Sequence, residues 1–284
     1  MEFIKDILRG VMIGIANAIP GVSGGTMMVS MGIYDKIISS VTGILHNIKK
    51  SIKTLLPYII GMMLGIVGLS FVIEYLFDTF PLQTALLFIG LILGGLPIIF
   101  GKLKGKAFSI PNAAAFLVFF ALIILLQVIG GGDENQVTLV LSAGMVVELF
   151  VVGVIAAATM VIPGVSGSMI LMLLGFYTPV IEMVTTTVKA LAAGEWQTVG
   201  HQILLIIPFG VGVVLGVFAI AKLIEVLLAK KEALTYSAIL GLVVASPIVV
   251  LMQIAVSAIG IGTIAGSVVT FVIGFTIAFF LGRE

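Results

Sequence analysis

The chain has 284 residues, a mean hydropathy of +1.34 and only 10% charged residues, where an ordinary soluble domain carries about 25%. It has no cysteine and two histidines, His46 and His201, both in polar connections. Disulfides, thiolate metal sites and a His-rich centre inside the apolar segments are thereby excluded; the net charge of +1 says little, and no nucleic-acid partner, cofactor or metal is expected.

In chain order, the N-terminal "MEFIKDILRG" is mixed in charge and lacks a long apolar stretch with a small-residue cleavage site, so no cleaved signal peptide is expected. Ten residues, Gly10 to Ile19, then lead into the break "IPGVSGGTMM" at 19–28, and the following apolar run ends at Asp35 and Lys36. Ten helical residues reach about 15 Å, half of a hydrocarbon core ~30 Å thick. Residues 9–36 therefore read as a re-entrant helical hairpin that enters and leaves on one side, with two ordinary spans joined at the motif as the alternative. Full spans follow at about 55–77, 82–100 and 111–130. The break returns as "IPGVSGSMIL" at 162–171, inside a second hairpin over 148–183, and spans follow at 203–228, 234–256 and 262–281. None of these runs alternates polar with apolar residues, which excludes barrel strands. The expected fold is all-α: a polytopic membrane protein with two re-entrant hairpins and about six full transmembrane helices.

The basic loops set an orientation. With the N-terminus in the cytoplasm, Lys5 and Arg9, then Lys49, Lys50 and Lys53, then Lys102, Lys104 and Lys106, then Lys230 and Lys231, and finally Arg283 all fall inside. The connections at Asp78, at Asp133 and Glu134, and near Gly260 fall outside, with Lys189 the single basic residue of an outer loop. Both termini are expected in the cytoplasm.

The two breaks belong to a longer repeat. Residues 10–34 align with 153–177 at the offset that carries Pro20 onto Pro163, and a second stretch pairs Pro57, Gly61, Gly65 and Glu74 with Pro208, Gly212, Gly216 and Glu225. Residues 1–135 thus form one repeat and 136–284 another within one integrated membrane domain. Each repeat holds one hairpin and three crossings; three is odd, so the second repeat enters upside down. Such an inverted-topology repeat is the usual architecture of alternating-access carriers.

A break at mid-membrane frees backbone groups that only protein or water can satisfy. Pro20 and Pro163 end the incoming arms, and new helices are expected to start at Gly24–Gly25–Thr26 and at Gly167–Ser168. Helix starts present free N–H groups suited to an anion, and Gly21 and Gly164 let one approach closely. Ser23, Thr26, Ser166 and Ser168 add hydroxyls, and Asn17, one turn before the first break, can face the same place. Tight helix packing through small residues is the alternative. Glu74, Glu225 and Lys222 are the other intramembrane polar residues, as a proton relay or as side chains reaching the interface; Lys222 and Glu225 are spaced to pair. Arg9 can attract an anionic headgroup or simply fix topology. Glu148 and Glu182 flank the second hairpin with no readable role.

The stretch "GIANAIPGVSGGTMMVSMGIYDKII", the second "IPGVSG" and "GLILGGLP" resemble the polyprenyl-phosphate transporter family of bacteria and archaea, over essentially the whole chain. The resemblance implies translocation of undecaprenyl phosphate, the lipid carrier of cell-wall polymers, from the outer to the inner leaflet of the cytoplasmic membrane. It places the family motif on Pro20–Thr26 and Pro163–Ser168, with the first copy carrying more of the phosphate site because Gly25 and Thr26 become Ser168 and Met169 in the second. A proton, or a sodium ion, is the expected coupling partner. The competing reading is a secondary carrier of a small anion, such as phosphate or an organic acid. An enzyme is not expected: a lipid phosphatase usually needs a His with an Arg cluster, and no histidine lies near either motif.

Overall fold

The structure is a computed structural model that describes residues 2–18, 23–105, 109–129, 137–165, 167–254 and 260–281. Pro20, Gly21, Ser166 and Arg283 lie outside the described residues, as do the side chains of Glu74 and Ser168. The described chain is all-α. Its helices are α1 (Glu2–Ala18), α2 (Gly24–Ser30), α3 (Tyr34–Thr42), α4 (Ile48–Thr79), α5 (Pro81–Leu103), α6 (Ile110–Ile129), α7 (Ala143–Val161), α8 (Gly167–Leu173), α9 (Tyr177–Ala193), α10 (Trp196–Lys230), α11 (Glu232–Gln253) and α12 (Ile261–Leu281).

Local chemistry sets many of these boundaries. Asn47 Oδ1 accepts the Lys50 N–H at 3.1 Å to open α4, and Ser142 Oγ accepts the Met145 N–H at 3.1 Å to open α7. Pro81 occupies the first turn of α5, where its missing N–H costs nothing. Both short helices after the breaks end in the same way. Gly32 (φ +68°) and Gly175 (φ +73°) take the left-handed conformation, and each donates to the carbonyl three residues back while the next residue donates five back. Those are Schellman stops, which favour glycine at this position.

Six described helices are long and apolar enough to cross a membrane: α5, α6, α7, α10, α11 and α12. Five carry the spans expected near 82–100, 111–130, 203–228, 234–256 and 262–281. The sixth is α7, the incoming arm of the second break, whose 19 residues exceed the half-length arm read from the sequence. The first arm is also longer than ten residues, because α1 begins at Glu2 and runs through Asp6 and Arg9. The span expected at 55–77 lies on α4, a helix of 32 residues.

Burial separates centre from rim. In α5 and α11, 56% and 61% of the apolar window is buried, against 11% in α6 and 17% in α10 and α12. α1 packs on α4, α7 on α10, α5 on α12 and α6 on α11. Glycines set each approach. A Cβ on Gly61 would stand 2.1 Å from the Ile7 carbonyl oxygen, and one on Gly65 2.4 Å from that of Val11. In the other half, a Cβ on Gly212 would stand 2.1 Å from the Phe150 oxygen and one on Gly216 2.7 Å from that of Val154. Backbone against backbone is the packing that small residues permit between membrane helices. The same aligned positions therefore make the same contact twice.

Candidate functional site: the junction of the two broken helices

The two interruptions meet. α2 starts at Gly24 and α8 at Gly167. Ser23 precedes α2 in extended conformation (φ −105°, ψ 129°), and its carbonyl accepts the Met27 N–H at 3.1 Å. The Gly24 N–H, one of the donors that a helix start leaves open, is taken by Asn17 Oδ1 at 3.1 Å. Asn17 itself is exposed, while Ser23 is 4% exposed and Thr26 fully buried.

Thr26 makes the crossing. Its hydroxyl oxygen accepts the Gly164 N–H at 2.7 Å and lies 3.5 Å from Ser246 Oγ. Ser246 donates to the Leu242 carbonyl at 3.1 Å, so towards Thr26 it accepts, and Thr26 accepts from one motif and donates to α11. Glycine stands on both sides of this contact, tightly packed at Gly25 and required at Gly164. A Cβ on Gly25 would stand 3.1 Å from Pro163 Cα. Gly164 has φ +82°, and its Cβ would meet the Leu242 carbonyl oxygen at 2.8 Å. Tyr34, buried at the start of α3, donates to the Val161 carbonyl at 3.0 Å, which partners an acceptor freed at the end of α7. In the second half, Thr159 stands over Gly167 as Asn17 stands over Gly24: its Oγ1 would be 3.0 Å from a Cβ there, and it donates to the Ala156 carbonyl at 2.6 Å. The residue aligned with Asn17 is Met160, so the polar group has moved by one position.

The structure therefore brings Asn17, Ser23, Gly24, Gly25, Thr26, Pro163 and Gly164 together, with Gly167 beside Thr159. Sequence reasoning missed Ser246, Leu242 and Tyr34. Tyr34 had a signal, since it recurs as Tyr177 in the repeat; Ser246, on a helix 220 positions away from Thr26, had none.

Two charged networks stand apart from the hydrogen bonds of this junction. Asp6 holds Arg9 at 3.1 Å and Lys36 at 2.9 Å, and Lys36 also donates to the Tyr58 hydroxyl at 3.0 Å. Burial raises the Asp6 carboxyl, but hydrogen bonds with Tyr58, Lys36 and Arg9 outweigh it and hold Asp6 below its ordinary value. Arg9 is 6% exposed, so its charge is buried against Asp6 rather than displayed at a mouth. Asp35 Oδ2 accepts from Lys102 at 3.0 Å and from the Tyr236 hydroxyl at 2.5 Å, tying α3 to α5 and α11. A cavity of about 20 Å³ lies beside them, lined by Val29, Tyr34, Asp35, Lys102 and Tyr236, room for about one water. Lys222 donates to Glu225 at 2.7 Å, with both side chains in part exposed. Among the described residues no group of three His, Cys, Asp or Glu is placed to hold a metal.

Helices of spanning length, glycine-mediated backbone contacts and polar chemistry gathered at two helix breaks define a multi-pass membrane protein with its specialised backbone at the centre. Residues 13–193 and 186–283 match the undecaprenyl phosphate translocase-like family, and the chain belongs to that family. It is 31% identical to a polyprenyl-phosphate transporter of Staphylococcus aureus, over 98% of this chain and 95% of that one. It is 26% identical to a polyprenyl-phosphate transporter of Vibrio cholerae, over 85% of this chain and 75% of that one. No solved structure matches the chain.

Proposed function

We propose that this protein translocates polyprenyl phosphate, undecaprenyl phosphate in particular, across the cytoplasmic membrane and so returns the lipid carrier for envelope synthesis. It acts as a carrier and not as an enzyme. The observation that carries the reading is the hydrogen bond from Gly164 N–H to Thr26 Oγ1, which joins one broken helix to the other. The two halves are read as an inverted repeat of re-entrant hairpins, and the recurrence of the same glycine–carbonyl contacts in both halves supports this.

The chemistry at the junction suits a phosphate. α2 and α8 have seven residues each, too few for a strong macrodipole, so the individual N–H groups matter. Two N–H groups at the breaks, on Gly24 at the start of α2 and on Gly164 three residues before α8, are satisfied by neutral side-chain oxygens, Asn17 Oδ1 and Thr26 Oγ1. An anionic headgroup makes stronger, charge-assisted bonds to the same donors and displaces those oxygens. Asn17, being exposed, yields first. The Thr26–Gly164 bond is the closed form of the junction, and its opening lets one half rock against the other. The isoprenoid tail stays in lipid beside the apolar outer faces of α6, α10 and α12. The Asp35–Lys102–Tyr236 and Asp6–Lys36 networks hold the basic, cytoplasmic end shut in this conformation. The pattern of basic loops assigns both termini to the cytoplasmic side.

Moving an anion inwards against an inside-negative potential costs about 2.3 kcal/mol per charge per 100 mV. A co-transported proton or sodium ion offsets this, with Glu74 and the Lys222–Glu225 pair as its carriers. The test is uptake of labelled polyprenyl phosphate into vesicles holding the purified protein. Uptake that unlabelled polyprenyl phosphate blocks and inorganic phosphate or an organic acid does not supports the lipid carrier; the reverse pattern replaces it with a small-anion carrier. Uptake unchanged by Glu74→Gln, Glu225→Gln and a protonophore removes the proton coupling and leaves the translocation.

A further inference from the structure

A polar pocket of about 310 Å³ opens at the end of the molecule opposite to the basic networks, between α9, the start of α10 and the extended residues before α7. Glu182, Thr186, His201, Gln202 and Thr138 supply its polar wall. Among the described residues no Lys or Arg lines it; Lys189, seven residues beyond Glu182 on α9, is not among its walls. Gln202 Oε1 is buried in its wall with no hydrogen-bond partner among the described residues, an arrangement that costs stability unless a donor arrives.

Beside it runs an apolar groove of about 480 Å³, walled by Leu141, Val146 and Val147 on one side and by Leu204, Pro208 and Val211 on the other. Pocket and groove share both walls. Thr138 and Leu139 line the pocket and Leu141 the groove, on one extended segment. On α10, His201, Leu204, Pro208 and Val211 recur at the three- and four-residue spacing of one helix face, so the stripe that begins polar at His201 turns apolar within one turn. Leu204 is 53% exposed and Val147 61%, so the groove is an outward-facing surface.

We infer that this site binds a membrane lipid with an ammonium headgroup, whose amine enters the polar pocket and whose chains lie in the groove. The charge decides the headgroup class. A phosphate placed there meets the Glu182 carboxylate and the Gln202 amide oxygen, and only the imidazole of His201 to receive it, with no Lys or Arg among the described walls. A primary ammonium brings three N–H donors and a positive charge to the same two oxygens. The site is thus distinct from the central junction and takes a lipid of opposite headgroup chemistry.

The experiment is native mass spectrometry of the full chain in detergent, titrated with phosphatidylethanolamine, phosphatidylglycerol and phosphatidylcholine of identical chains. Phosphatidylethanolamine is expected to be retained about tenfold better than phosphatidylglycerol, the effect of about one charge-assisted hydrogen bond. Glu182→Gln and Gln202→Leu are each expected to remove most of that preference while leaving polyprenyl-phosphate binding unchanged, and Leu204→Trp, which fills the groove, to lower retention of every chain-bearing lipid. Free ethanolamine is expected not to compete. Equal retention of the ethanolamine and glycerol lipids, or a preference that survives both polar substitutions, overturns the proposal. Choline lipid binding as well as ethanolamine lipid removes the role of N–H donation, and displacement by free ethanolamine removes that of the groove.

Discussion

The two breaks carry nearly the same residues and are buried to different depths. All seven residues of α2 are buried. Ser30 lies under Gly95 of α5, and Gly25 lies against Pro163. α8, after the second break, is only partly buried, and Leu174 just beyond it is 39% exposed. The exit helices differ too: nine residues in α3, fastened by Lys36 and Asp35 to the basic end, and 17 in α9, out on the rim. Matched glycines thus fix the same helix stop after each break, shown by the paired Schellman stops at Gly32 and Gly175, while the neighbours decide whether the short helix becomes a fixed wall or a looser one. We take the first hairpin as the fixed half of the junction and the second as the half that shifts against it.

The contrast breaks most severely at Gly95. A Cβ there would stand 2.2 Å from Ser30 Cα and 2.5 Å from the Ser30 carbonyl, so Gly95→Ala is expected to cost more than ~3 kcal/mol, at or beyond the usual overpacking range. Gly210, with nothing within 4 Å of its Cβ position, is the control, and its change to Ala is expected to alter stability by under ~0.5 kcal/mol. Melting midpoints in one detergent at one scan rate compare the two. A Gly95→Ala protein that melts like the Gly210→Ala one ends the view of the first hairpin as the fixed half.

Next in size is Thr26→Val, which leaves the buried Gly164 N–H without an acceptor and is expected to cost about 1–3 kcal/mol; Thr26→Ser keeps the oxygen and most of the stability. Beside the second break, among the described residues, Thr159 bonds within its own helix, to Ala156, so Thr159→Val is expected to cost about 0.5–1.5 kcal/mol. Equal losses at the two threonines blur the distinction between the hairpins.

The smallest effect is electrostatic. Asp6 sits below its ordinary value of 3.8 in the folded chain, so its contribution is present above that value and lost as pH falls through the lowered one. Lys36 is raised above 10.5, through hydrogen bonds with Tyr58 and Asp6 that outweigh burial; its contribution is present below 10.5 and lost as pH rises through the folded value. Stability is therefore expected to decline at both extremes, and Asp6→Asn to flatten the acid limb. An acid limb unchanged in Asp6→Asn assigns the decline to other carboxylates.

Much of this was legible in the residues. Apolar runs too long and too uniform for strands gave the helices, and proline with paired glycines marked where two of them stop. The i, i+3 spacing placed Lys222 beside Glu225, and the same spacing between Asp6 and Arg9 carried the pair that sequence reading passed over. What stayed hidden depends on distant neighbours. Nothing near Ser246 announces that it accepts from Thr26, and nothing near Gly164 announces that its N–H is already taken. Arm length was misjudged because charged residues were read as ending the helix, whereas Asp6 and Arg9 satisfy each other and let α1 run through them.

The central claim is that the donors at the two breaks receive a lipid phosphate, and Asn17 tests it most directly. It is exposed, so its substitution spares the core, and its side chain occupies the Gly24 N–H. Binding of polyprenyl phosphate to the purified protein is to be titrated for wild type, Asn17→Ala and Asn17→Asp. The account expects Asn17→Ala to bind at least as tightly as wild type, because the donor is freed, and Asn17→Asp to lose binding, because a fixed carboxylate competes for the same N–H and repels the headgroup. Wild-type affinity in Asn17→Asp contradicts it.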